Sequence, residues 1–194
     1  METILAVVLG LGLSASCGFR VFVPLLVSSA AALAGYLELA NGFEWIGTWT
    51  AFVAFAVAAL FEVAAYYIPW LDHLLDTIAS PVGVVAGIIL FAASVTELDP
   101  FLHWSLAIIA GGGSAGIVQG GTVVTRAAST VTTGGIGNFV VTTLETMAGF
   151  FFSIMAIVLP LVSSLLLLVA IGCMYYVGRQ VLRKLVEWPH TSRS

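Results

Sequence analysis

The chain has 194 residues, of which 60% are hydrophobic and only 8% charged. Soluble domains carry about 25% charged residues, so this chain is expected to be an integral membrane protein. Its net charge of −4 excludes nucleic acid as a partner and leaves no basic patch outside the C-terminal tail.

A crossing takes roughly 20 apolar residues. Candidate segments in chain order are 4–17, 19–37, 48–68, 79–97, 101–120, 139–159 and 161–183. The fold class expected is all-α, a polytopic membrane helix bundle of about seven crossings with glycine-rich re-entrant or broken helices.

The first segment, in METILAVVLGLGLSASCG, has the look of a signal peptide with a lipid-modified Cys17. It lacks a positive n-region, and it is read as a retained helix. Gly10, Ser14 and Gly18 recur there every fourth residue, which lets a second helix approach closely. Arg20 follows. Cys17 and Cys173 fall in apolar stretches and read as two buried thiols, without metal or disulfide spacing.

The third segment ends in FEVAAYYIP, placing Glu62 at membrane depth. In WLDHLLD, Asp72 and Asp76 are one turn apart on a short interfacial acidic helix. No further ligands accompany them, so neither a metal nor a cofactor is expected.

Residues 111–138 read GGGSAGIVQGGTVVTRAASTVTTGGIGN. Gly112, Gly116 and Gly120 repeat the small-residue stripe as helix-packing glycines. Residues 121–135 are too polar to face lipid, and the pairs Gly120-Gly121 and Gly134-Gly135 would let the backbone turn at both ends. As a helix this piece places Thr122, Arg126, Ser129 and Thr133 on one face. Two readings stand open: a re-entrant element lining a polar space, or a tight seam whose threonines bond back to the preceding turn.

The two stripes lie 102 residues apart (112 − 10), and FEVAAYY (61–67) echoes LETMAGF (144–150), aligning Glu62 with Glu145. A diverged internal duplication follows, 1–97 and 101–184, with a tail at 185–194, all in one membrane domain. Transporter folds commonly carry such repeats, with the site at their interface.

Arg179, Arg183, Lys184 and Arg193 put the C-terminus on the cytoplasmic side, together with Arg20 and Arg126. The acidic loops around Glu38–Glu44 and Glu97–Asp99 then lie outside. Glu62 and Glu145 come level with the two arginines, giving a charge-balanced cluster that is either a transport site or an ion-pair lock.

With GFRVFVPLL (18–26), YYIPWLDHLLDTIASPVGVVAG (66–87), TRAAST (125–130) and NFVVTTLET (138–146), the chain resembles a bacterial family of small membrane proteins, domain of unknown function 4126. The likeness runs over most of 5–160, strongest at Gly18-Phe19-Arg20, at Ile68-Pro69 with Asp72 and Asp76, and at Asn138 with Glu145. The resemblance implies a shared fold and no established activity. Relatives often have Asp-Lys in place of Tyr66-Tyr67, an Arg in place of Ser80, and an Asp in place of Thr146.

The function expected is a transporter, channel-like or lipid-translocating protein of the bacterial inner membrane. Its polar path would run along Arg20, Glu62, Thr122, Arg126, Ser129, Thr133, Asn138 and Glu145. The alternative is a structural or assembly subunit packing through its glycine faces. Nothing resembles a nucleophile–base pair, so no enzyme is expected. Membrane lipid, a second copy or a membrane-complex partner are the expected contacts.

Overall fold

The computed structural model describes residues 2–96 and 98–187. The side chains of residues 2, 69–76, 174, 177, 178 and 181–187 lie outside that description, and with them those of Asp72, Asp76, Arg183 and Lys184. Seven helices follow one another: α1 (Glu2–Ser16), α2 (Phe22–Leu33), α3 (Trp49–Ala65), α4 (Pro69–Ser94), α5 (Pro100–Thr133), α6 (Asn138–Val158) and α7 (Pro160–Glu187). A single 3-10 turn, Glu44–Gly47, precedes α3, and no strand occurs among the described residues.

Among the described residues, three stretches are long and apolar enough to cross a membrane: Thr77–Ser94, α5 and α6. Of the other expected crossings, the first three fall on the shorter apolar helices α1, α2 and α3, and the last falls on α7, whose fully described apolar stretch is Pro160–Cys173. At 15 and 12 residues, α1 and α2 reach about 22 and 18 Å, short of a hydrocarbon core of about 30 Å.

Helix ends follow local chemistry. Pro69, Pro100 and Pro160 open α4, α5 and α7, where a missing N–H costs nothing. Thr48 caps α3 by accepting the Ala51 N–H at 3.2 Å, and Asp99 caps α5 by accepting that of Phe101 at 3.0 Å. Gly134 and Gly135 have φ of 65° and 91°, a left-handed stop for α5.

Successive helices run up and down. Ser14 on α1 donates to the Gly87 carbonyl of α4 at 2.7 Å, and Gly10 faces Phe91, so α1 and α4 are antiparallel. Gly12 meets Ala156 while Phe19 stacks on Phe152 at 5.7 Å, setting α6 beside α1. Ser29 of α2 donates to the Ile46 carbonyl, and Glu62 of α3 reaches back to Val21. The turn at Arg20, the end of α3 and the middle of α5 therefore share one end of the bundle. Residues 34–48, residues 94–96 and 98–99, and the α6–α7 turn share the other.

Two expectations are corrected here. The backbone does not break at Gly120-Gly121: α5 runs through without interruption for 34 residues. An unbroken helix satisfies its own peptide groups, whereas a re-entrant loop must find partners elsewhere. Nor is the glycine stripe the packed face. A Cβ at Gly116 would make only ordinary contact with Val84 at 3.6 Å, and at Gly120 it would meet nothing within 4 Å.

The tight seam lies one residue away. A Cβ on Gly111 would sit 2.7 Å from Phe91 Cβ, one on Gly87 2.6 Å from Ala115 Cβ, and one on Gly18 2.5 Å from the Ala115 carbonyl oxygen. Ala107–Gly112 is π-helical, and the wider turn rotates the face that follows. Gly111, Ala115, Val118, Thr122 and Arg126 turn inward as a result. Gly10 and Gly112 are also close-packed, at 3.3 Å from Phe91 and 3.0 Å from Ile88. Cys17 is buried as expected, but Cys173 is exposed on α7.

Candidate functional site

At the end of the bundle that holds the Arg20 turn, four charged side chains from separate parts of the chain converge. Arg20 sits in the turn between α1 and α2, Glu62 in the last turn of α3, Arg126 on α5 and Glu145 on α6. Their exposures are 1%, 8%, 4% and 6%, and Tyr66, which completes the group, is 4% exposed.

Arg126 grips Glu145 with a fork. Its Nε donates to both carboxylate oxygens, at 3.2 and 3.0 Å, and its Nη2 donates to Oε2. Planar guanidinium matches planar carboxylate in this way, which makes it the strongest ion-pair geometry a protein has. Arg20 Nη2 adds a second cation 3.6 Å from the same Oε2. It also donates to the Thr142 carbonyl at 3.0 Å, while Arg20 Nε donates to Thr146 Oγ1 at 3.0 Å.

Glu62 behaves otherwise. Both its oxygens accept backbone N–H groups at the start of α2, from Val21 at 2.7 Å and Phe22 at 2.9 Å. α2 has no side-chain cap of its own, so α3 supplies one, and the carboxylate charge meets the positive end of the helix dipole. Glu145 serves both guanidiniums, because Glu62 is held by two backbone donors.

Glu62→Ala should lower stability by about 1–3 kcal/mol, the cost of stranding buried donors. Glu62→Gln keeps one acceptor and should lose less. Thermal unfolding of both in one detergent checks this, and equal melting for the two variants and the wild type contradicts it.

The Tyr66 ring binds the cluster together. The guanidinium carbons of Arg20 and Arg126 each lie 4.0 Å from its centroid. In a desolvated site each such contact contributes about 2 kcal/mol. Two positive and two negative charges make the whole neutral, which a low-dielectric interior requires.

The hydroxyl face of α5 splits. Thr122 is buried one turn from Arg126, with its hydroxyl donating to the Gln119 carbonyl at 2.8 Å. Thr125, Thr130 and Thr133 likewise donate to the carbonyls of Gly121, Arg126 and Ser129. Ser129 is half-buried, Thr133 is exposed and accepts the Gly137 N–H, and Asn138 donates to Thr130. Those three sit at the end of α5 and the start of α6, away from the cluster.

Two atoms at the cluster stand out. Arg20 Nη1 and Thr142 Oγ1 are both buried and have no hydrogen-bond partner among the described residues. Buried polar groups are nearly always satisfied, which sets these two atoms apart from the rest of the cluster.

Tyr66, Thr142 and Thr146 were not picked out as site residues from the sequence. Two of them occupy positions where the resemblance noted a departure: Tyr66 carries the guanidiniums and Thr146 accepts from Arg20. Ser80, the third departure, lies 3.5 Å from Gln119 Nε2.

No curated protein and no solved structure matches the chain. Residues 7–180 match a family described as "Domain of unknown function (DUF4126)". That match takes in every residue of the cluster, and the chain belongs to this family.

Proposed function

We propose that the protein moves a small solute, an ion or a lipid across the membrane, with the Arg20–Glu62–Tyr66–Arg126–Glu145 cluster as a closed gate at one end of its path. The observation that carries this reading is the convergence of four charged groups from different elements at one buried level. A buried ion pair stabilises no better than apolar residues of the same shape. Charges at depth mark pathways and relays. Because each member sits on a different element, separating α5 from α6 would open the cluster without unfolding either helix. The arginine side is the cytoplasmic one by the charge rule, which also puts the C-terminus there, in a bacterial inner membrane.

A second reading, a structural or assembly subunit, is favoured by one observation. The cluster is closed off from the surface, and the α5 threonines are bonded back to their own helix.

Cysteine labelling separates the two. With Cys17 and Cys173 replaced, Thr122→Cys probes the buried level, Thr133→Cys the wet end and Val124→Cys the outer face of α5. A membrane-impermeant thiol reagent should label Thr133→Cys readily and Val124→Cys weakly, since only wet thiols ionise and react. Thr122→Cys should be protected until the gate is weakened by Glu145→Gln, or by the milder Arg126→Lys, and strongly labelled afterwards. Protection of Thr122→Cys in both folded variants supports the dry seam and removes the gate.

A further inference from the structure

The opposite end of the bundle holds two adjoining cavities of different character. One, of about 420 Å³, is walled by Val27 and Ala31 of α2 and by Ile154, Ile157 and Val158 of α6. The other, of about 360 Å³, is polar and includes Thr3, Glu38, Ser94 and Thr96 in its wall. Tyr36 lines both. Each volume falls in the range of small-molecule sites, roughly 300–1,000 Å³.

We propose that the two together bind one bilayer phospholipid with an ammonium headgroup. Its acyl chain lies between α2 and α6, and its amine faces Glu38.

Three observations lead to this ligand. One cavity is apolar and the one beside it polar, the two environments that an acyl chain and its headgroup need. Trp45, Trp49 and Trp104 are all exposed at the same end, forming the aromatic belt of a membrane–water interface. The apolar cavity opens between two helices whose outer faces are themselves apolar, so an acyl chain can enter sideways from the bilayer.

Charge selects the headgroup. Glu38, Glu44 and Asp99 all lie at this end, and residues 34–48 and 92–106 contain no Lys or Arg. Glu44 is held below the usual carboxylate range by its own backbone N–H and that of Gly42, the latter at 2.8 Å, so it stays ionised. A headgroup of net negative charge would be repelled here. An ammonium group is drawn in, and Glu38 with the oxygens of Thr3, Ser94 and Thr96 supplies acceptors for its three N–H bonds. Tyr36, at the junction, is placed to donate to the phosphate.

The site is at the far end from the charge cluster, so its failure leaves the gate reading untouched. The test uses the full chain, stripped of lipid in detergent and offered phosphatidylethanolamine or phosphatidylglycerol with identical acyl chains. Bound lipid is counted by native mass spectrometry. The wild type should retain the ethanolamine lipid several-fold better. Glu38→Gln, at an exposed position, should bring the two lipids to parity, and Glu38→Asp should restore the preference. Ile154→Trp, on a half-exposed side chain, should fill the apolar cavity and abolish retention of both lipids without changing the melting temperature. Equal retention of the two lipids by the wild type, preference for the glycerol lipid, or a preference that survives both Glu38→Gln and Ile154→Trp overturns the proposal.

Discussion

Gly18→Ala should be among the most damaging single-methyl substitutions in this protein, while Gly120→Ala should be harmless or mildly stabilising. The new Cβ at position 18 would lie 2.5 Å from the Ala115 carbonyl oxygen, 2.6 Å from Val118 Cβ and 2.8 Å from the Gln119 nitrogen. Two of those three atoms are backbone, inside an uninterrupted helix, so no side-chain rotation relieves the clash. Nor can α5 slide away, because Ala115 is already pressed against Gly87 of α4 on the same seam. Overpacking costs about 1–3 kcal/mol where side chains can adjust, and this site belongs at or above the upper end. Gly120 is exposed with no atom within 4 Å of an added Cβ. There alanine should gain up to about 1 kcal/mol of helix propensity. Melting temperature and monodisperse yield in one detergent decide the matter. A Gly18→Ala protein that melts with the wild type would show that this seam is not close-packed.

The contrast between those two glycines marks where the sequence stops being legible. Spacing by four residues picks out a stripe, and Gly10, Gly18 and Gly112 do pack closely. It does not reveal that a π-helical turn runs into the start of that stripe. One such turn is enough to exchange Gly116 and Gly120 for Gly111 and Ala115. The partner surface was legible and passed over: Ala79, Gly83 and Gly87 form a small-residue stripe on α4, and two of these face α1 or α5 directly.

The cluster was read more fully, for a physical reason. Ionised groups are so costly in an apolar chain that the few present must meet one another. Arg20, Arg126 and Glu145 do so, and Glu62 joins them through backbone donors that a sequence pattern does not display. Tyr66 escaped because a tyrosine near a helix end reads as an interface anchor. Only the fold shows two guanidiniums against its ring.

The largest effect of all is expected at Arg126. Alanine there removes both limbs of the fork on Glu145 and leaves that carboxylate, 6% exposed, facing Arg20 Nη2 at 3.6 Å. Stranding one member of a desolvated pair costs about 3–5 kcal/mol. Arg179→Ala on α7, whose side chain is exposed, should fall within about 0.5 kcal/mol of wild type. The double variant Arg126→Leu with Glu145→Leu separates lost attraction from stranded charge. It should recover part of the deficit, since no carboxylate is then left unpaired at that position. Recovery should be incomplete, because Arg20 keeps only the more distant field of Glu62, whose oxygens already hold α2. The coupling between positions 126 and 145 in that cycle should therefore be well above the few tenths of a kcal/mol expected of independent sites. It should also be insensitive to added salt, as screening acts on exposed charges and not on buried ones. Matching melting temperatures for Arg126→Ala and Arg179→Ala would mean that water reaches the cluster freely, and the gate would then have to be sought elsewhere in the bundle.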